Sequence, residues 1–296
     1  MIATSERPPD ESRHPRLPHP GLVVRRWGSG PEVVLVHGSV TGAHASWAEL
    51  RRGAHGWTLV APNRRGYHPR TPASREDFRA DAADIAQLCR RPVHLVGHSY
   101  GAIVALLAAA RTPGTIKSLT LIEPPPLPSV HGIREVRDWV DRMAALRTAG
   151  PLEPAAFLAT FMHLVGGPAE AADYSDQLAA QVELLRSSVP AWTADPPWRL
   201  LSVGHIPALV VSGGHSVVFE AAADDIAERI AGVRRVITGS GHFVQRHPGF
   251  AGLLTGFLRA HEPEPACRTG DSLSRSSQVC YARAVALDSG GAQARE

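Results

Sequence analysis

Short strand-like runs alternate along the chain with longer helix-like segments. The runs occupy residues 32–36, 57–61, 92–96, 119–122, 207–211 and 234–237. The helix-like segments occupy residues 43–52, 78–89, 102–111, 219–231 and 250–259, and Ser74-Arg75-Glu76-Asp77 resembles a capping box in front of the second of them. Most runs are continuously apolar, as strands covered on both faces are, and the alternation favours an α/β fold with a mostly parallel, doubly wound sheet. An alternating run at 22–27 predicts an antiparallel edge strand in front of it.

The alternation is interrupted in the middle of the chain. Three consecutive prolines at 124–126 cannot continue a hydrogen-bonded ladder, so the chain leaves the sheet there. Helix-like patterns without a strand between them follow at 133–147, 154–165 and 171–186. We therefore predict a helical cap at 127–200, inserted into a core made of residues 21–126 and 201–261.

The two ends of the chain differ from this core in composition. Residues 1–20 are polar and rich in proline, and residues 262–296 contain Ser, Gly, Ala and Arg without apolar periodicity. Both compositions are typical of disordered segments, so we expect an arm and a tail. Residues 1–20 also lack the apolar stretch of a secretory signal.

Composition excludes several classes of function. The net charge is only +3, and no basic motif accompanies the arginines, so we expect no nucleic-acid partner. No apolar run is long enough to span a membrane. Cys89, Cys267 and Cys280 predict no disulfide framework, which favours a cytoplasmic location. The histidines show no metal-binding spacing, and we expect no metal or other cofactor, a small-molecule substrate, and an oligomeric state that the sequence does not indicate.

The clearest chemical signal is the pentapeptide Gly97-His98-Ser99-Tyr100-Gly101, which fits the pattern G-x-S-x-G. It lies between a predicted strand and a predicted helix. Such a turn holds the serine in a strained backbone conformation with its hydroxyl exposed. Glycines flank the serine because a Cβ there collides where strand and helix pass closest.

Other reactive residues follow predicted strands in the same way. His37, Ser39, Glu123, Ser216 and His242 each stand just after a strand-like run. The carboxyl ends of parallel strands share one edge of a sheet, where α/β folds carry their sites. We therefore expect these side chains and Ser99 to converge.

Taken together, these pieces resemble the α/β-hydrolase fold family over residues 22–260. The matching pieces are His37-Gly38, residues 62–67, the pentapeptide around Ser99, and Gly239-Ser240-Gly241-His242. The resemblance implies an α/β-hydrolase fold in which Ser99 is the nucleophile and His242 the base. It also implies an oxyanion hole formed by the backbone N–H groups of Ser39 and Tyr100. Chemistry agrees, because a serine hydroxyl needs a base and the oxyanion needs placed donors.

The sequence departs from the family pattern at the third catalytic position. Members commonly carry an acid after the strand that follows the cap, but residues 213–218 contain no carboxylate, and Asn63 stands where many relatives have Asp. Some members, including certain dehalogenases, place the acid one strand earlier, and Glu123 ends that strand here. We predict Glu123 as the triad acid, rather than Glu220 or Asp224 on the next helix. The alternative is that Glu123 pairs with a loop arginine or caps the helical insertion.

The resemblance implies a serine hydrolase that cleaves a carboxylic ester or lactone of a small to medium apolar substrate through an acyl-enzyme on Ser99. Alternatives are carbon–carbon bond hydrolysis, peracid formation, and a non-enzymatic ligand-binding receptor of the same fold. Haloalkane dehalogenation is disfavoured because it needs a carboxylate in place of Ser99. The candidate substrate-binding residues are His98, Trp139, Phe157, Phe161 and Phe243. The cap also contains Met162, Trp192 and Trp198, which are further candidates for an apolar pocket. At least half of the cap aromatics are expected only to pack the cap.

Overall fold

The structure is a computed structural model that describes residues 21–168 and 176–262, without the side chains of 176–178. The predicted arm at 1–20 and residues 263–296 of the predicted tail lie outside the described residues. None of the helices within the described part is long and apolar enough to cross a membrane.

Within the described residues the chain forms one seven-stranded sheet. Its strands are β1 (Val24–Trp27), β2 (Glu32–Val36), β3 (Thr58–Pro62), β4 (Val93–His98), β5 (Ile116–Ile122), β6 (Ala208–Ser212) and β7 (Val233–Val236). They lie in the order β1-β3-β2-β4-β5-β6-β7. Only the edge strand β1 pairs antiparallel, with β3, and the other neighbouring pairs are parallel. The predicted fold class, a mostly parallel doubly wound sheet, is confirmed.

Most of the described helices correspond to predicted segments with shifts of a few residues. They are α1 (Ala43–Ser46), α2 (Ala48–Gly53), α3 (Phe78–Leu88), α4 (Tyr100–Arg111), α5 (Arg134–Ala149), α6 (Pro154–Val165), α7 (Asp176–Arg186), α8 (Trp198–Val203), α9 (Val217–Arg229) and α10 (Pro248–Ala260). The sequence pattern did not predict α8. Residues 171–175 of the predicted helix 171–186 lie outside the described part.

Helices cover both faces of the sheet, which explains why its strands are apolar throughout. In β2, Val34 and Val36 belong to the apolar cluster that contains α3, α4 and α9, while Val33 and Leu35 belong to the cluster with α2 and α10. Successive residues of a strand point to opposite faces, so β2 is buried on both sides. The parallel strands thus end together at one edge of the sheet.

The helical segment 127–200 has an apolar cluster of its own. Trp139, Phe157, Phe161 and Trp192 pack there with Phe219 of α9. Two of the indole ring contacts are edge-to-face, with centroids 5.8 Å apart for Trp139–Trp192 and also for Trp139–Phe219. The segment therefore packs against α9 through aromatic rings, and its description as a separate cap domain stays a prediction.

Three local predictions were wrong. The single helix predicted at 43–52 is divided at Trp47, which adopts φ −111° and ψ 14°. Ser74 to Asp77 resembled a capping box, but Asp77 itself caps α3 by accepting N–H groups from that helix, and Glu76 is buried in another network. The predicted tail began at Glu262, whose carboxylate instead accepts hydrogen bonds from Lys117 and His94 in the core.

Candidate active site

Ser99 lies at a sharp turn between β4 and α4, as the sequence predicts. Its backbone has φ 54° and ψ −125°, a conformation that residues other than glycine rarely adopt. A Cβ on Gly97 would lie 2.3 Å from the Gly101 carbonyl oxygen, and a Cβ on Gly101 would lie 2.3 Å from that of Val36. The glycines therefore allow α4 to begin directly at the end of the strand, which presents the Ser99 hydroxyl above the sheet edge.

His242 is placed against Ser99 by backbone contacts from both sides. Its Nε2 lies 2.9 Å from the Ser99 Oγ. The His242 N–H donates to the Gly166 carbonyl at 3.3 Å, and its own carbonyl accepts a hydrogen bond from His98 Nε2 at 2.9 Å. The imidazole is buried. The position of this ring thus depends on the loop after β7, on His98 of β4 and on Gly166, which directly follows α6.

Glu123 completes a chain of hydrogen bonds through the imidazole. The His242 Nδ1 lies 3.0 Å from Glu123 Oε2, and the other carboxylate oxygen accepts the Gly213 N–H. Glu123 follows β5 directly and has φ 49°, so it too adopts a backbone conformation that is unfavourable for a side chain. Glu220 is turned away, since its carboxylate bonds to the Gly214 N–H and to Arg234. Glu123 is therefore the carboxylate that the structure brings to His242.

Burial shifts the pKa values of both titratable partners. Desolvation raises the pKa of Glu123 to about 7, and the nearby His215 and the Gly213 N–H lower it in part. Desolvation, assisted by the His215 charge, lowers the pKa of His242 to about 3. The imidazole is therefore neutral near pH 7. With Nδ1–H donating to Glu123, its Nε2 lone pair faces the Ser99 hydroxyl.

His215 belongs to this group, although sequence reasoning assigned it no role. It occupies the loop after β6, where family members commonly carry the acid. Its Nε2 lies 3.1 Å from the Val165 carbonyl oxygen, and its Nδ1 lies 3.8 Å from Glu123 Oε1. One sequence signal could have indicated a role for His215: it lies in segment 213–218, where the expected acid is missing. It is hydrogen-bonded to the end of α6 and lies beside the carboxylate.

Glu123, His215 and His242 are also the one cluster among the described residues whose ligand atoms lie close enough together to hold a metal ion, within 4.8 Å of one another. A metal there would have to replace the hydrogen bond between His242 and Glu123. The same atoms form a continuous chain to Ser99. The arrangement suits proton transfer better than metal binding.

The two predicted oxyanion-hole residues, Ser39 and Tyr100, line one pocket together with Ser99. Tyr100 is the first residue of α4, where backbone N–H groups have no acceptor inside the helix. Ser39 lies in the loop after β2, and the next residue, Val40, has φ 74°, an unusual value for a β-branched side chain. Both residues thus lie at the edge where Ser99 is exposed, and the role of their N–H groups in an oxyanion hole stays a prediction.

A buried polar network, centred on Glu76, fixes the loop that carries Ser39. The Glu76 carboxylate accepts hydrogen bonds from the Ser39 hydroxyl, the Tyr67 hydroxyl and Arg64. The Tyr67 hydroxyl accepts the Val40 N–H at 2.9 Å, and Arg64 donates to the Gly38 carbonyl at 2.9 Å. The strained loop is therefore held from three directions. Sequence reasoning missed this network because it interpreted Glu76 as part of a helix cap.

Arg64 is the cation of the same network. It is completely buried and donates to Asp81 as well as to Glu76. The two carboxylates raise the pKa of Arg64 against the opposing effect of burial, which is the largest single cause. The backbone N–H of Arg64 also donates, to His37 Nε2 at 3.0 Å. The hydrogen bonds of His37 therefore fix the loop after β2 to Arg64, and none of them is to Ser99 among the described residues.

The pocket beside Ser99 has an empty volume of about 510 Å³, part of which is open to solvent. Its walls are mainly aromatic and aliphatic side chains. The lining residues are Ser39, Ser99, Tyr100, Pro125, Trp139, Met143, Arg147, Phe157, Phe161, Val165, Leu185, Ser188, Ala191, Trp192 and Phe219. Ligand sites are typically apolar pockets of this kind with a few polar groups.

Of the five predicted substrate-binding residues, Trp139, Phe157 and Phe161 line this pocket, and His98 and Phe243 do not. His98 is buried and hydrogen-bonded to the His242 carbonyl and to Gln245. The Phe243 ring packs beside the rings of His98 and His242. Each is the direct sequence neighbour of a reactive residue, His98 of Ser99 and Phe243 of His242, but both pack beside the His242 ring outside the pocket.

A comparison with known families agrees with this geometry. A family model described as the alpha/beta hydrolase family matches residues 33–251, which is well over half of the chain. The chain belongs to the α/β-hydrolase family. The match includes the turn around Ser99, Glu123 and His242.

Individual relatives of this α/β-hydrolase match it over shorter segments than the family model does. It is 36% identical over 104 residues to pimeloyl-(acyl-carrier protein) methyl ester esterase of Methylococcus capsulatus, covering 34% of this chain and 40% of that protein. It is 35% identical over 130 residues to lipase LipV of Mycobacterium tuberculosis, covering 42% of this chain and 48% of the lipase. These matches thus span less than half the length of either relative.

Solved structures match over a larger share. An α/β-hydrolase from Sphaerobacter thermophilus is similar with a TM-score of 0.61 at 26% identity, over 80% of this chain and 96% of that one. An enol-lactonase from Burkholderia xenovorans has a TM-score of 0.56 at 21% identity, over 80% of this chain and 96% of the lactonase. The second likeness shows the fold alone.

Proposed function

We propose that this α/β-hydrolase is a serine hydrolase that cleaves a carboxylic ester or lactone through an acyl-enzyme on Ser99. One observation carries the proposal: a continuous hydrogen-bond chain from Ser99 Oγ through His242 to Glu123, with distances of 2.9 and 3.0 Å. The geometry is that of a nucleophile, a base and an orienting carboxylate. The names of the relatives, an esterase and a lipase, support the same class of reaction.

Acylation begins when the neutral His242 Nε2 takes the proton of the Ser99 hydroxyl. The Ser99 oxygen attacks the ester carbonyl carbon, and the carbonyl oxygen becomes an oxyanion that the backbone N–H groups of Ser39 and Tyr100 stabilise. A donor of this kind lowers the barrier by about 3 kcal/mol. The imidazolium next gives its proton to the leaving alcohol oxygen as the carbon–oxygen bond breaks. Glu123, when ionised, stabilises that imidazolium.

Deacylation repeats these steps with water. His242 takes a proton from a water molecule, whose oxygen attacks the acyl carbon. The second oxyanion collapses, Ser99 leaves with the proton from His242, and the free acid is released. The apolar pocket beside Ser99 suits a hydrocarbon acyl or alcohol group, which supports a small to medium apolar substrate.

A fluorophosphonate probe tests the proposal, because it reacts only with an activated serine. We expect stoichiometric labelling of wild-type protein on Ser99 and no labelling of Ser99→Ala. The same variant should lose about 10⁴- to 10⁶-fold in kcat on short acyl esters. Ser129→Ala, which changes an exposed serine bonded to Asp225, is the matched control and should react as wild type does.

The alternatives predict different results. A ligand-binding receptor of this fold would leave the probe unreacted and hydrolyse no ester or lactone in a screen. Retention of most activity by Ser99→Ala would also refute the proposal, because the reaction would then need another nucleophile.

A further inference from the structure

The pocket beside Ser99 contains one charged side chain, Arg147, among its apolar lining residues. Arg147 lies in the last turn of α5 and is half-buried. No carboxylate is present among the described residues that line the pocket. A charge withdrawn from water is costly unless it is paired, so an arginine in this position indicates a ligand of opposite charge.

The bonds of Arg147 leave part of its guanidinium free. Its Nε donates to the Arg186 carbonyl at 3.3 Å, and its Nη2 donates to the Ser188 carbonyl. Its guanidinium carbon lies 5.6 Å from the centre of the Trp192 ring. An arginine has five N–H donors, and within the described part of the chain these two bonds are the ones found. The side chain is thus held in place without being neutralised.

The electrostatic surroundings support this conclusion. Burial lowers the pKa of Arg147, and the Glu76 carboxylate opposes that effect from a distance. The Glu76 oxygens are already bonded to Ser39, Tyr67 and Arg64. Glu76 therefore forms no ion pair with Arg147, and the charge of Arg147 remains available to a ligand.

We propose that Arg147 binds a carboxylate of the substrate, so that the preferred substrates are esters or lactones with a second, anionic carboxyl group. The inference rests on the proposed function for its catalytic part. A guanidinium matches a carboxylate with two parallel hydrogen bonds, and water-poor surroundings strengthen them. Trp139 and Trp192 line the same pocket as Arg147, and their aromatic rings suit the hydrocarbon chain between the two carboxyl groups.

Hydrolysis of a matched pair of esters tests the inference. The pair is monomethyl adipate, which carries a free carboxylate, and methyl hexanoate, which has the same chain length without it. We expect wild type to prefer monomethyl adipate in kcat/KM. Arg147→Met should lose about 10- to 100-fold on monomethyl adipate and change little on methyl hexanoate, as expected for a charged hydrogen bond. Arg142→Met, an exposed arginine of the same helix, is the control and should keep the wild-type preference.

Two results of this assay would overturn the inference. Equal losses on both esters in Arg147→Met would mean that Arg147 only holds the carbonyls of Arg186 and Ser188. A wild-type enzyme that hydrolyses methyl hexanoate as well as monomethyl adipate would leave the proposed function standing and remove the role of Arg147.

A binding measurement separates the inference from catalysis. Titration calorimetry with the Ser99→Ala variant should give a Kd for monomethyl adipate at least about tenfold lower than for methyl hexanoate, and adding Arg147→Met should abolish the difference. Equal binding of the two esters by Ser99→Ala would refute the inference whatever the activity. If wild type hydrolyses neither ester while the binding preference holds, the proposed function fails and the carboxylate site stands.

Discussion

At the scale of single residues, the site depends on the side chains of Ser99, Glu123 and His242, whose backbone is either strained or held by hydrogen bonds. Ser99 and Glu123 both have positive φ, at 54° and 49°, and each lies at the end of a central parallel strand. His242 is held by hydrogen bonds to its own N–H and carbonyl. Such strain is maintained only where the surroundings fix the conformation. The rigid sheet edge therefore supplies the alignment that the proposed chemistry needs.

The raised pKa of Glu123 predicts the pH dependence of ester hydrolysis. Burial moves this pKa from 4.5 to about 7, so the carboxylate is ionised above that pH and protonated below it. Protonated Glu123 no longer stabilises the His242 imidazolium, and kcat/KM should fall toward acid pH with a midpoint near 7. The measured midpoint belongs to the coupled pair. A midpoint below 5 in a pH–rate profile would contradict the assignment.

Substitution of Glu123 tests its role as the acid. Glu123→Gln keeps the shape but removes the charge, and kcat should fall by about 10²- to 10⁴-fold with little change in the melting temperature. Glu220→Gln is the control, because Glu220 bonds to the Gly214 N–H and to Arg234 and not to His242. We expect its kcat within about threefold of wild type. Reversed effects would place the acid after β6.

At the scale of secondary-structure elements, the loop after β2 is the least regular part of the site. Val40 has positive φ, and the Glu76 carboxylate anchors its neighbours through Ser39, Tyr67 and Arg64. Three donor groups bonded to one buried carboxylate give the loop little freedom. The position of Ser39 beside Ser99 in the pocket therefore depends on Glu76, which lies just before α3.

Glu76→Gln should weaken catalysis through this loop. The amide cannot accept from Ser39, Tyr67 and Arg64 together, and Arg64 loses one of its two charged partners. We expect kcat to fall about 10- to 100-fold as the oxyanion donor shifts, and the free energy of unfolding to fall by about 3 kcal/mol. Ester kinetics and urea unfolding measure the two effects. Glu49→Gln, an exposed residue that forms an ion pair with Arg52, is the control. An unchanged kcat in Glu76→Gln would show that the loop keeps its conformation without the Glu76 carboxylate.

The sequence predicted most elements because their periodicities are strong and their ends are marked. The elbow around Ser99 and the exit of the chain from β5 follow from glycine and proline chemistry that acts locally. Glu76, His215 and Arg147 were not predicted to act in the site. Their partners come from distant loops, and the patterns of apolar residues contain no information about which polar atoms meet across such loops.

At the scale of the whole molecule, the order of strands could be expected only in part. Alternating strands and helices predict a parallel sheet, and the resemblance implied its family, which the match over residues 33–251 shows. The association of α9 with the helical segment 127–200 through Trp139 and Phe219 had no signal in the sequence. Packing between elements depends on shapes, and apolar periodicity indicates only which face is buried.

The end of the core was predicted one residue too early, and this difference can be tested. The Glu262 carboxylate accepts hydrogen bonds from Lys117 at 2.7 Å and from His94 at 2.8 Å. Burial raises the pKa of Glu262, but these two partners outweigh it and the net effect is a lowered pKa. A carboxylate with a lowered pKa stabilises the fold above its unfolded pKa and loses that effect as the pH falls. Glu262 therefore binds the residue pair that follows α10 to strands β4 and β5 through these two hydrogen bonds.

A chain that ends after Glu262 should keep the melting temperature and the ester hydrolysis of the full chain, because residues 263–296 lack apolar periodicity. Glu262→Ala in the full chain should lower the melting temperature by about 2–4 °C at pH 7, as expected for a loss near 1 kcal/mol in a domain of this size. The effect should shrink on acidification. Glu228→Ala, an exposed glutamate of α9, is the control. If removal of residues 263–296 lowers the melting temperature more than Glu262→Ala does, the core extends beyond Glu262.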